Sequence, residues 1–239
     1  MAEPVSDARR LTLTEGNFRA WCEGRKTQTR RVIRLPKWLT ADDREDFFRA
    51  LRKSPKGIVK RGPCDGIVHR FRCPYGPVGT PLYVAEPFRV VEGVEAGLVV
   101  ERIPSGIGGG LVRVEYAWSR RREWTGVPAS HWDTPTAQPS EAFHSSRFFP
   151  RWAAHRWSWL EGVRVQFLRD IQGYDITAEG IGTGGCADDY AEDHAKFVRL
   201  WDSINARRGY SWAGAGSEWP GYVWALTVAG PGEEAESHG

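Results

Sequence analysis

The chain lacks any apolar run near the ~20 residues that a membrane-spanning helix needs, and its mean hydropathy is −0.49. Its first ten residues, MAEPVSDARR, carry no apolar segment of the secretory type. Both absences lead to the expectation of a cytoplasmic protein with no membrane partner. Cysteine is scarce: four in 239 residues, at 22, 64, 73 and 186, with no even spacing. A chain of this length needs no disulfide staples, so reduced thiols are expected. Charge of one sign is also lacking. The formal net charge is +3, too small to mark a nucleic-acid binder by bulk electrostatics, although arginine clusters locally at 30–31, 120–122 and 207–208.

Several motifs are missing too. Glycines 108–110 are not followed by the Lys-Ser/Thr of a phosphate-binding loop, and no helix opens there, so "PSGIGGG" reads as a hairpin tip between "GLVVERI" and "LVRVEYAW". Cys64, His69 and Cys73 have C-x4-H-x3-C spacing but no C-x2-C pair. Three zinc ligands and an ordinary loop with buried thiols both stay open. His131, His144 and His155 fit no Ser/His/Asp order.

Twelve tryptophans and 41% hydrophobic residues are ample for a core. Thr14 is the expected N-cap of a short helix through "EGNFRAWCEG", closed by Gly24. Residues 36–62 are charged and proline-flanked and read as an insertion with one small helix. Residues 119–147 lack periodicity and read as a second, irregular insertion, a candidate substrate lid. "WLEGVRVQFLRDI" alternates as a strand, with Val163, Val165 and Phe167 on one face, and Asp175 is expected to cap a short helix through "ITAEGI". Tyr190, His194, Phe197, Trp201 and Ile204 form a stripe on a helix over 188–206, with His194 a packed residue of that stripe. "YVWALTV" is a final strand before a polar tail at 231–239. The class is α+β: one domain over residues 1–230, a small β-barrel or bent sheet with flanking helices and long insertions.

Two stretches carry chemistry. Trp124, Trp132, Trp152, Trp157 and Trp159 stand among arginines at 120–122, 147, 151 and 156. Such a mixture suits base stacking with phosphate neutralisation, and it equally suits an amphipathic edge whose tryptophans fill the core. In "GRKTQTRR", Lys26 and Thr29 could form a base and a nucleophile, with Glu86 or Glu179 as the acid for a leaving amine. In a regular strand, residues three apart face opposite sides, so the pair converges only where the chain bends. A solvated basic strand is the simpler reading of these residues alone.

Taken in order, "CEGRKTQTRRVI", "CPYGPVGTPLYVAEPF", "FFPRWAAHRW" with "VRVQFLRDIQGYDITAEGI", and "FVRLWDSINARRGYSW" with "WPGYVWALTV" resemble the ASCH-domain proteins, and within them the phage- and prophage-encoded branch. The resemblance touches residues 14–33, 73–88, 148–181 and 197–228. It implies a PUA-like β-barrel and a partner that is a modified nucleoside or a single-stranded nucleic acid. Some small members are amidohydrolases of N(4)-acetylcytidine, with a Lys-x-x-Thr pair and a distant glutamate. By that likeness Lys26, Thr29 and Glu179 are the catalytic residues, and no metal or cofactor is needed. Arg25, Arg30, Arg31, Glu86, Trp152 and His155 are the substrate-binding ones. Other members bind RNA or cleave it, so a reader module or a metal-independent ribonuclease are the alternatives. The chain departs from the branch at "GTPLYVAEPF", where the usual Asp and Arg are absent, and at His155, which stands in an arginine position.

Overall fold

Among the described residues ten strands and four α-helices follow one another. A computed structural model describes residues 7–36, 39–55, 57–61, 68–95, 110–131, 133–182 and 189–232. In order they form β1 (Arg9–Thr12), α1 (Glu15–Cys22), β2 (Gln28–Val32), α2 (Arg44–Lys53), β3 (Ile58–Arg61), β4 (Val68–Phe71), β5 (Pro81–Ala85), β6 (Phe88–Glu95), β7 (Gly110–Tyr116), β8 (Arg122–Val127), β9 (Trp157–Phe167), α3 (Gly173–Ala178), α4 (Tyr190–Asn205) and β10 (Tyr222–Val228). The class is mixed α+β, as expected. The described residues group into two compact units. One lies within Met1–Arg19, Pro81–Ser158 and Pro231–Gly239, the other within Ala20–Thr80 and Trp159–Gly230.

In the first unit β1 runs parallel to β5, while β6, β7 and β8 form an antiparallel meander. Alternate residues of the meander turn inward: Phe88, Val90, Val112, Val114, Tyr116 and Val127 are buried against Phe149 and Ala153. A register shift between Val90 and Glu92 restores the inward and outward pattern after one extra residue. One expectation changes here and another falls on residues outside the description. The strand pairing β7 is Phe88–Glu95, and the stretch 97–103 assigned to that role lies among residues outside the description, as do glycines 108 and 109. The segment 119–147 is not irregular throughout, because Arg122–Val127 pairs with β7 along its length. Its aperiodicity reflects a strand neither of whose alternate sets, Arg122, Trp124 and Gly126 or Glu123, Thr125 and Val127, is uniformly apolar.

In the second unit β10 is central, with β9 on one side and β2 on the other, both antiparallel. Val163, Val165 and Phe167 share one face, as the alternation indicated. The insertion at 36–62 is integrated: α2 buries Phe47, Phe48 and Leu51, with Phe47 edge-on to Phe71 at 5.0 Å and Phe48 stacked on Tyr222 at 4.1 Å. Phe197 and Trp201 of α4 join Leu168, Ile171, Ile176, Trp219 and Val223 in a second apolar cluster, and His194 packs edge-on against Trp212 at 5.1 Å.

Local signals account for several ends. The Asn17 amide donates to Thr14 Oγ1 at 3.3 Å at the start of α1, and Gly24 takes φ +72° just after it. The cap of α3 is not Asp175 but Gln172. Asp175 sits three residues on and accepts from the Gln172 amide, completing a reciprocal capping box. Helix α3 ends at Gly180, with φ +79°, where a Cβ would meet Ala20 Cβ at 2.8 Å and Lys26 Cβ at 3.0 Å. Gly180→Ala therefore combines left-handed strain with a contact against Lys26. It should cost about 1–3 kcal/mol, read as a fall in Tm of several degrees by calorimetry.

Candidate functional site

The register across β2, β10 and β9 decides what meets. Arg30 lies opposite Ala225, which lies opposite Arg164; Gln28 lies opposite Thr227, and Val223 opposite Gln166. These side chains share one face of the sheet, and Thr29, Leu226 and Val163 share the other. Strands two places apart are about 10 Å distant, and the central residue between the two arginines is only an alanine. Long side chains can therefore cross above it. The Arg30 guanidinium reaches Gln166 Oε1 at 3.0 Å, and Arg164 reaches Gln28 Oε1 at 3.3 Å.

Helix α3 supplies the counter-charges from one side, because Asp175 and Glu179 are four residues apart. Asp175 Oδ1 accepts from Arg30 Nη2 at 2.9 Å and from Arg164 Nη2, and its Oδ2 accepts from Gln166 Nε2 at 3.0 Å. Glu179 Oε1 accepts from Arg30 Nη1 at 2.9 Å. Glu179 Oε2 accepts from Lys26 Nζ at 2.5 Å, and Nζ also donates to the Glu179 carbonyl at 3.1 Å. Lys26 is brought there by the backbone, through an isolated bridge to Glu179 and the Thr27 amide bond to the Ala178 carbonyl. Its side chain is 1% exposed.

Burial would raise the pKa of Glu179, but the Lys26 ammonium and the Arg30 guanidinium outweigh it and hold the carboxyl below its usual range. Asp175 is treated alike: burial raises it, while Gln166, Arg30, the Gln172 amide and Arg164 together hold it low. Lys26 goes the other way from an ordinary lysine. Burial disfavours its charge first, Glu179 opposes that, and Arg31 and Arg30 add repulsion, leaving its pKa lowered. Three cations, Lys26, Arg30 and Arg164, face two carboxylates. Loss of the Lys26 proton neutralises the cluster, which is what a general base requires.

The remaining sequence-predicted residues are distributed as follows. Thr29 is buried in β2 on the face opposite Arg30, and the two oxygens of Glu179 are taken by Lys26 and Arg30. Arg25 is exposed, paired with Glu23 and donating to the Gly180 carbonyl at 3.1 Å. Arg31 acts on Lys26 electrostatically. Glu86, Trp152 and His155 belong to the first unit, not to the unit that holds Lys26. The zinc candidates Cys64 and the His69 side chain lie outside the described residues; Cys73 is buried, which pushes its thiol up to about 11. Among the described residues no group of three metal-binding side chains occurs.

Glu86 has its own setting. It is fully buried, and its Oε2 accepts from the backbone amides of Trp118 and Ser119, each at 2.9 Å. Its Oε1 lies 3.3 Å from His155 Nε2. The His155 ring packs tilted against Tyr116, with centroids 3.9 Å apart and 41° between the planes, and Tyr116 Oη donates to the Ala153 carbonyl at 2.7 Å. Burial raises Glu86 despite those two amides. Burial, with Arg156 and Arg121 nearby, lowers His155 to about 3. Trp152 packs against the same core, edge-on to Phe88. The position where a resemblance-based reading expects arginine thus holds a neutral ring.

Sequence reasoning missed Gln28, Arg164 and Gln166, and misassigned Asp175. The signal was present in "VRVQF", where Arg164 and Gln166 interleave with three apolar residues: a strand with one apolar face carries its polar residues together on the other.

No family model matches the chain, and no curated protein and no solved structure matches it.

Two stability predictions follow from the charges. Glu179→Gln leaves Lys26 and Arg30 short of a counter-charge and should cost about 3–5 kcal/mol in urea unfolding, whereas Lys26→Met with Glu179→Leu should recover much of it. For His155, the folded pKa lies below the unfolded one, so its contribution is present above about pH 6.5 and lost as pH falls toward 3. Between pH 7 and pH 5 the wild type should lose about 2 kcal/mol from this group, and His155→Gln should flatten Tm against pH over that interval.

Proposed function

We propose that the chain is an ASCH-type protein with a PUA-like barrel that hydrolyses the acyl amide of an N(4)-acylated cytidine or a similar modified base. The observation that carries the reading is the buried Lys26–Glu179 pair. Two residues 153 positions apart are held in contact by backbone pairing, with a lysine whose proton is weakened by burial and by two arginines. In this reading neutral Lys26 takes the proton of the Thr29 hydroxyl as that oxygen adds to the acyl carbon. The tetrahedral intermediate collapses with cleavage of the C–N bond, and the leaving amine regains the proton from Lys26. Glu179 is held ionised, so it positions Lys26 rather than donating the proton. Water then hydrolyses the acyl ester on Thr29. Nζ has to move from Glu179 to Thr29 during the cycle, and Arg30 remains to hold the carboxylate.

A non-catalytic reader of modified bases or RNA is the second reading. It is favoured by the saturated Glu179 carboxylate and by the position of Thr29 on the face opposite Arg30.

Incubation with N(4)-acetylcytidine and with RNA oligonucleotides, followed by chromatography of products, separates the two. The expected result is release of acetate and cytidine, reduced about 10²–10⁴-fold in Lys26→Met and in Thr29→Ala. The rate should climb with pH through the lowered Lys26 pKa, because the base form is the active one. Binding without turnover establishes the reader, and shortened RNA establishes a nuclease.

A further inference from the structure

The outward face of the β6–β7–β8 meander has no part in the chemistry above. Because the inward residues are fixed as apolar, the alternate ones, Arg89, Arg113, Glu115, Arg122 and Trp124, stand on the other side. Trp124 is 49% exposed, an unusual placement for an indole that could instead have joined the core. It lies directly opposite Arg113 in the ladder. Arg113 is 43% exposed, and its nearest carboxylate, Glu92, is 3.9 Å away, too far for a hydrogen bond. One strand over, Arg89 holds Glu115 at 2.7 Å and lies with its guanidinium 4.8 Å from the centre of the Phe143 ring. Phe143 is itself 43% exposed. Arg122 shares Glu115 at 2.9 Å. On this face three arginines, Arg89, Arg113 and Arg122, meet two glutamates, Glu92 and Glu115, while Glu123, opposite the inward Val114, is taken by Arg121 at 3.3 Å.

We propose that this face is a platform for single-stranded nucleic acid, with Trp124 and Phe143 stacking bases and Arg113 and Arg122 contacting phosphates. Stacking needs exposed flat rings, and phosphates need guanidinium groups with spare donors; both occur within two ladder positions. The net positive charge complements a polyanion. A protein partner fits less well, because the apolar content is confined to two separated rings and the charges around them would be desolvated. Glu115 keeps Arg89 and Arg122 extended across the strands, so the face is ordered before any ligand arrives.

The test is fluorescence anisotropy of labelled 12-mer oligo-U and oligo-dT, with the full chain, between 50 and 200 mM salt. The expected outcome is micromolar or tighter binding at low salt. Trp124→Ala should weaken it about tenfold with the salt slope unchanged, and Arg113→Gln should lower the slope by about 0.7. Trp124 is exposed, so both variants should keep the wild-type melting temperature. No binding at low salt, or wild-type binding by both variants, overturns the proposal. So does concentration-dependent self-association in sedimentation that Trp124→Ala abolishes. Hydrolysis of free N(4)-acetylcytidine by these variants should be unchanged, so the platform and the hydrolase reading fail independently.

Discussion

Everything in the second unit's sheet depends on one electrostatic constraint: an ammonium and a guanidinium buried beside the edge of β2 must find carboxylates inside the protein. A buried charge without a partner costs several kcal/mol, so the helix that carries Asp175 and Glu179 is held over the sheet by more than apolar packing. Arg30 is the hub. It touches both carboxylates and Gln166, and its reach across β10 is possible because residue 225 is alanine. Lys26 adds the one proton whose loss brings the cluster to neutrality. Stability and reactivity are thus two readings of the same charge balance. A fully neutralised cluster would hold the helix as well but would give Lys26 no reason to release a proton.

The first unit solves a comparable problem by the opposite means. Glu86 is buried with two backbone amides on one oxygen and a histidine near the other. No strong cation is in bonding contact with it among the described residues. Burial dominates, and the carboxyl and the imidazole are both driven toward their neutral forms. The two glutamates that the sequence offered as equivalent acids therefore differ in kind. Glu179 is a fixed anion in a cationic nest, and Glu86 is a group whose charge is suppressed by its surroundings.

The elements themselves were legible in the residues. Period-two alternation marked β9, the run "YVWALTV" marked β10, the 3.6-residue stripe marked α4, and Thr14 and Gly24 marked the ends of α1. The link between Lys26 and Glu179 was legible only through resemblance, because nothing local ties residues 153 apart. What stayed hidden was the cross-strand register. Knowing that "VRVQF" is a strand does not reveal that Arg164 stands level with Arg30 across an alanine. Asp175 was misread for the same reason: its local pattern suits a cap, and the demand of two distant arginines is invisible in a window of ten residues. Strand β8 was overlooked because neither of its faces is apolar: Arg122, Trp124 and Gly126 alternate with Glu123, Thr125 and Val127, which leaves no period-two signal.

Helix α3 is six residues long, less than two full turns, and a helix of that length does not persist in water on propensity alone. Glu179, at its C-cap, binds partners that lie 149 and 153 residues earlier in the chain. The loop closed by those contacts spans most of the sequence, so its entropy is lost before the ion pairs repay it. The order of assembly follows. Asp175 has Arg164 and Gln166 within eleven residues of it, whereas Glu179 gains Lys26 and Arg30 only once β2 has joined the sheet, so the Lys26 cluster closes late. During synthesis Lys26 and Arg30 emerge long before their counter-charges. The nascent chain carries them solvated until the segment around Asp175 and Glu179 arrives and draws them inside.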